Sequence, residues 1–124
     1  MGKPANTGMR RILLAARCSA KGFGHAWKYE AAFRQEIALT LMLTPLAMLL
    51  GRTSTERILL VGSCMLVLIV ELLNSAVEAL VDRVGDEQHE LSGRAKDLGS
   101  AAVFVSLVVV ATVWLTIAGQ RFLG

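Results

Sequence analysis

Apolar residues in this chain come in blocks, not in the alternating or interspersed pattern of a water-soluble domain. Residues 37–50, 58–70 and 98–119 contain no Asp, Glu, Lys or Arg. A helix that spans a bilayer needs roughly 20 apolar residues. The third block meets that length alone. The second meets it when extended through Glu78, which puts Glu71 at hydrocarbon depth and Glu78 nearer the headgroups. The first must borrow residues 33–36, and Pro45 within it predicts a bend, because proline removes a backbone donor and crowds the preceding turn. The pattern predicts one membrane-embedded domain over residues 1–124, with transmembrane helices at about 33–50, 56–82 and 95–120.

Ahead of these blocks the period changes. Arg10, Arg17, Lys21 and Lys28 keep helical spacing, and Leu13, Ala16, Ala20 and Trp27 run beside them. This predicts an amphipathic helix over residues 10–28 lying in the membrane interface, its basic side chains snorkelling to lipid phosphates. A plain topogenic anchor explains the same residues. Gly22 and Gly24 predict a break, with a new helix starting near Ala26, and residues 1–9 read as disordered. Thr53 followed by Glu56 is a capping-box pattern at the start of the second span.

Candidate chemistry concentrates at the end of that second span. A helix turns about 100° per residue, so Glu71, Asn74, Ser75, Glu78 and Asp82 share one narrow face. Ionisable groups inside a hydrophobic segment are costly and point to function. Glu71 suits a general base acting on a hydroxyl, or a proton carrier; a carboxylate bonded to another subunit for assembly is the plainer account. Glu78, with Glu30 on another helix, offers hard oxygen ligands for Mg²⁺, which is usually held by one or two carboxylates plus substrate phosphates. Glu30 also stands four residues before Arg34, where an intrahelical ion pair accounts for it. His89, beside acidic residues in a polar loop, reads most simply as a solvated histidine.

Composition and charge narrow the classes. At 54% hydrophobic residues the chain is too apolar for an ordinary soluble domain, and its net charge of +3 suits anionic lipid better than nucleic acid. Of the 13 Lys and Arg residues, seven precede the first span and three (Arg83, Arg94, Lys96) lie between the second and third. The positive-inside rule then predicts a cytoplasmic N-terminus and a cytoplasmic loop at 82–97. Cys18 and Cys64 lie too far apart in membrane topology to predict a disulfide or a metal clip. The N-terminal region does not read as a cleavable signal, and Asn6 stands where myristoylation needs Ser or Thr. No phosphate-binding loop, dinucleotide fingerprint or protein-kinase motif is present.

Two function classes remain on the residues: a membrane enzyme using metal and base on a lipid, and a small oligomeric proton-coupled transporter. The basic and acidic groups gathered on the cytoplasmic side favour the enzyme, because a phosphorylated cosubstrate needs such a site.

Three stretches carry a resemblance. Glu-Leu-Leu-Asn-Ser-Ala-Val-Glu-Ala-Leu-Val-Asp-Arg from residue 71 and His-Glu-Leu-Ser-Gly-Arg-Ala-Lys-Asp-Leu-Gly-Ser-Ala-Ala-Val from residue 89 are two of them. The third is Glu-Ala-Ala-Phe-Arg-Gln-Glu at 30–36. Together they closely resemble the prokaryotic integral-membrane diacylglycerol kinases, and the resemblance covers almost the whole chain. It implies an all-α homotrimer in the bacterial inner membrane, with a surface helix and three transmembrane helices per chain and active sites shared between subunits. It also implies transfer of the γ-phosphoryl group of MgATP to the hydroxyl of diacylglycerol, giving phosphatidate.

Carried over by position, Glu71 resembles the general base and Asn74 a residue supporting it, while Glu30 and Glu78 resemble the Mg²⁺ ligands and also contact ATP. Arg11, Cys18, Glu87, Gln88, His89, Lys96 and Asp97 fall at nucleotide-contacting positions. Arg34, Gln35, Arg57, Ser100 and Trp114, with Glu71, fall at lipid-substrate positions. The chain departs from the family at Cys18, where an aromatic residue is common, and at Ala20 and Leu49, where tryptophan is common; Pro45 is an addition. Related small kinases phosphorylate undecaprenol, but the 30–36 and 89–94 stretches resemble the diacylglycerol branch more closely.

Overall fold

In the computed structural model, residues 7–85 and 89–124 are described, and they form four helices joined by short connections. Helix α1 spans Gly8–Tyr29, α2 Ala31–Leu50, α3 Ser54–Val84 and α4 Glu90–Leu123. The last three are long and apolar enough to cross a membrane, making this an all-helical membrane protein. At 1.5 Å per residue, α3 and α4 are about 46 and 51 Å long against a hydrocarbon core of about 30 Å. Both are therefore longer than the hydrocarbon core, and the acidic residues of α3 after Glu56 lie toward its C-terminal end.

Helix α3 is the centre of the bundle. It packs along α4 and α2, whereas α1 is joined to the rest mainly through α2. Of the most apolar stretch of α3, 28% is buried inside the protomer, against 17% for α2 and 11% for α4. Leu41 and Met42 of α2 and Phe104 and Leu115 of α4 are exposed. Such surfaces suit lipid or other helices, because lipid tails are as apolar as the side chains themselves.

The protomer's core lies at the end of the bundle away from the acidic residues. Ala47 and Leu50 of α2, Leu60 of α3 and Ile117 of α4 meet there, with Trp114 packed against them. Trp114 Nε1 donates to the Leu60 carbonyl at 3.1 Å, giving the indole a polar partner inside apolar packing. The α2–α3 turn closes this end. Thr53 Oγ1 accepts from the Glu56 N–H at 3.1 Å, as the capping box predicts. The Glu56 carboxylate reaches back one residue further, to the Arg52 N–H at 2.8 Å. Arg57 Nε donates to the Gly51 carbonyl at 3.1 Å, satisfying an acceptor at the end of α2.

Several local expectations are corrected. Helix α1 starts by Gly8, so residues 8 and 9 are helical rather than disordered, and it runs unbroken through Gly22 and Gly24. Both glycines keep negative φ, and a helical glycine costs only about 1 kcal/mol relative to alanine. The break falls instead at Glu30, whose extended backbone separates α1 from α2. Glu30 is thus no member of an intrahelical pair. Arg34 sends its guanidinium to the carbonyls of Trp27 at 2.6 Å and Lys28 at 3.4 Å, holding the end of α1. Helix α2 continues through Pro45, where Thr44 Oγ1 donates to the Thr40 carbonyl at 2.7 Å.

Candidate active site

Glu71 is buried, with 8% of its surface exposed. It lies near enough to Glu36, Glu78 and Glu30 for their charges to act on it. Glu36 of α2, Glu78 of α3 and Glu30 at the α1–α2 joint thus lie within electrostatic reach of Glu71, though no three of them are close enough together to hold one metal ion. Like charges so placed repel one another unless protons or cations neutralise them.

A cleft of about 710 Å³ opens between α1 and the C-terminal end of α3. Its two walls differ in chemistry. Phe23, His25 and Tyr29 line the α1 side, while Ser75, Glu78 and Asp82 line the α3 side and Glu30 lies at the joint. Phe23 stacks on the buried Phe33 with centroids 6.4 Å apart, which ties the α1 wall to α2. The Glu30 side chain makes no capping hydrogen bond at the start of α2. Glu30 and Glu78 thus share one cleft and offer only oxygen donors, which fits Mg²⁺. No group of three or more potential metal ligands occurs among the described residues.

Helix α4 contributes at two points. Lys96 Nζ meets Asp82 Oδ1 at 3.0 Å, which brings a cation to the edge of the cleft. Gly99 lies against the Asn74 side chain, so closely that a Cβ there would collide with the amide oxygen. His89 caps the start of α4: its Nδ1 accepts from the Leu91 N–H at 3.0 Å, leaving Nε2 as the protonated nitrogen of the neutral ring. Arg94 pairs with Glu90 at 3.0 Å in the first turns of α4.

The other positions are more dispersed. Cys18 is exposed on α1 and Arg11 lies on the same exposed helix. Gln35, Asp97 and Ser100 are exposed. Glu87 and Gln88 lie outside the described residues. Arg57 is 14 residues from Glu71 along α3, about 21 Å away by helix rise. Trp114 bonds to Leu60, which is about 16 Å from Glu71 on the same measure.

Sequence reasoning missed Glu36, Asp82 as the partner of Lys96, and the aromatic wall. Glu36 had a usable signal, since it is an ionisable residue inside the first predicted span. The aromatic wall had none, because Phe23, His25 and Tyr29 face α3 only through the turn at Glu30.

The sequence profile of prokaryotic diacylglycerol kinase matches residues 17–118. The chain is 51% identical over 116 residues to a diacylglycerol kinase of Escherichia coli K12, covering 94% of this chain and 95% of that protein. It is 54% identical over 111 residues to one from Pseudomonas aeruginosa, covering 90% of each. It is 39% identical over 111 residues to one from Helicobacter pylori, covering 90% of this chain and 87% of that protein.

Proposed function

The chain belongs to the prokaryotic diacylglycerol kinase family, and on that premise we propose that it phosphorylates diacylglycerol from MgATP at the C-terminal end of α3. The observation that carries the placement is the buried Glu71 on the α3 face it shares with Glu78, which lines the α1–α3 cleft together with Glu30.

Glu71 acts as general base. As the primary hydroxyl oxygen of diacylglycerol attacks the γ-phosphorus, its proton passes to the Glu71 carboxylate. The bond from phosphorus to the bridging oxygen breaks, and ADP leaves with the electron pair. Glu30 and Glu78 would hold Mg²⁺, which when bound would supply neutralisation of the phosphate charge. Lys96, held beside Asp82, supplies a further positive charge to the phosphates, and Asn74 supports the base. The protein's work is positioning and charge neutralisation.

The finer features follow the same premise. Arg11, Cys18, His89 and Asp97, with Glu87 and Gln88, surround the nucleotide. Arg34, Gln35 and Ser100 lie toward the lipid headgroup, whereas Arg57 and Trp114 are far enough from Glu71 to meet the acyl tails. Helix α1 rests on the cytoplasmic face of the inner membrane, with the 82–97 loop on the same side, and three copies assemble with shared sites. The exposed apolar faces of α2 and α4 leave room for that assembly.

Transfer of labelled phosphate from MgATP in mixed micelles, with diacylglycerol and undecaprenol offered side by side, tests the reading. Label in phosphatidate is expected. Label confined to undecaprenyl phosphate would move the substrate to the isoprenoid alcohol, and label in neither would overturn the kinase reading.

A further inference from the structure

Asn74 Oδ1 is a buried oxygen with no hydrogen-bond partner among the described residues. Leaving a buried acceptor unpaired costs stability, and native proteins do so rarely. An apolar side chain would fill the same space between α3 and α4 without that cost. Packing alone therefore does not account for an amide here.

The surroundings of that oxygen explain what holds it. A Cβ on Gly99 would collide with Oδ1 and would stand 3.2 Å from Asn74 Cγ. No residue with a side chain fits at position 99 while the amide stays where it is. The orientation of the amide is also decided by chemistry. Its oxygen is one acceptor, whereas its nitrogen carries two donors, so turning the nitrogen into the contact would bury two unpaired groups in place of one. Asn74 shares one face of α3 with Glu71, Ser75 and Glu78, and fixing its oxygen against α4 also fixes where its NH₂ lies. A donor there complements the carboxylate of Glu71, and an acceptor would oppose it.

We infer that Gly99 is a positioning residue for the kinase reaction, acting through Asn74: its missing side chain makes the recess that receives the amide oxygen and so aims the amide NH₂ at the site. This rests on the reading of Asn74 as part of that site. Gly99 itself touches no substrate. Its effect is on the orientation of one donor, so turnover responds and nucleotide affinity does not.

The test compares Gly99→Ala, Asn74→Ala and the double variant, each as the full chain in mixed micelles with MgATP and diacylglycerol. Turnover is expressed per folded protein, and resistance to thermal inactivation is measured in parallel. Gly99→Ala is expected to lower kcat roughly 10- to 100-fold, the range that small misplacements near a reaction can cost, with the KM for MgATP within about twofold. It should also inactivate at lower temperature. The double variant should recover thermal resistance, because the added methyl takes the space the amide leaves, yet be no more active than Asn74→Ala. Helix loosening alone would instead displace Lys96 and raise the KM. If Gly99→Ala does not fold, the double variant should.

Wild-type kcat in Gly99→Ala beside an inactive Asn74→Ala would overturn the positioning role and leave the Asn74 reading standing. Full turnover in Asn74→Ala would overturn both. A double variant as unstable as Gly99→Ala, or one that fails to fold with it, would overturn the contact itself.

Discussion

Lys96 of α4 meets Asp82 of α3 across the helix interface at 3.0 Å, joining the two longest helices near the C-terminal end of α3 and the N-terminal end of α4. The side chains are 46% and 68% exposed, so water screens the pair. Exposed pairs contribute at most about 1 kcal/mol to stability. What the contact supplies is position, because it keeps a flexible lysine at the edge of the cleft.

Asp82→Asn should therefore raise the KM for MgATP several-fold and leave resistance to thermal inactivation nearly unchanged. Steady-state kinetics at varied MgATP, with a melting curve alongside, separates the effects. A large fall in thermal resistance with unchanged KM would make the pair a structural tie.

Glu71→Gln keeps the size of the side chain and removes the proton acceptor. A general base contributes typically 10²–10⁴-fold, so kcat should fall within that range while the KM for MgATP changes little. Full turnover in this variant would remove Glu71 as the base.

Glu30 and Glu78 line the same cleft and serve as the proposed metal ligands. Glu78→Gln should shift the Mg²⁺ dependence to higher concentration or abolish activity, and titration of free Mg²⁺ at fixed nucleotide reads this directly. An unchanged Mg²⁺ curve would assign the metal elsewhere.

Leu60 is completely buried in the core at the far end of the bundle. Leu60→Ala leaves a cavity, and such truncations cost about 2–5 kcal/mol in well-packed cores. The variant should inactivate at a clearly lower temperature than wild type. Met42→Ala, at an exposed position on α2, should show a much smaller change if lipid covers it; an equally large one would place another helix against that face.

The two free cysteines report topology, since Cys18 is exposed on α1 and Cys64 is buried in α3. A membrane-impermeant maleimide should label Cys18 in inside-out vesicles and not in right-side-out ones. Cys64 should label in neither. The reverse pattern at Cys18 would invert the orientation drawn from the Lys and Arg distribution.

What the amino-acid sequence determined alone is whatever is encoded within a few neighbouring residues. Three apolar helices follow from uncharged blocks of sufficient length. The Thr53 cap follows from a spacing of three residues, and the shared face of Glu71, Asn74, Ser75 and Glu78 follows from the turn of one helix. Two local signals misled. The glycines at 22 and 24 lie inside a helix that good helix formers carry past them, and Glu30 is the joint itself rather than part of a helix face.

Only the tertiary structure decided which faces meet. It brought Glu30 and Glu78 into one cleft, set Asp82 opposite Lys96, folded an aromatic wall back over α3, and pressed Gly99 onto the Asn74 amide. These are relations between residues far apart along the chain. They depend on how closely and at what rotation two helices pack, which is set by side-chain shape along the whole contact. Hydropathy marks a helix for the membrane but does not say which of its sides will face a neighbour.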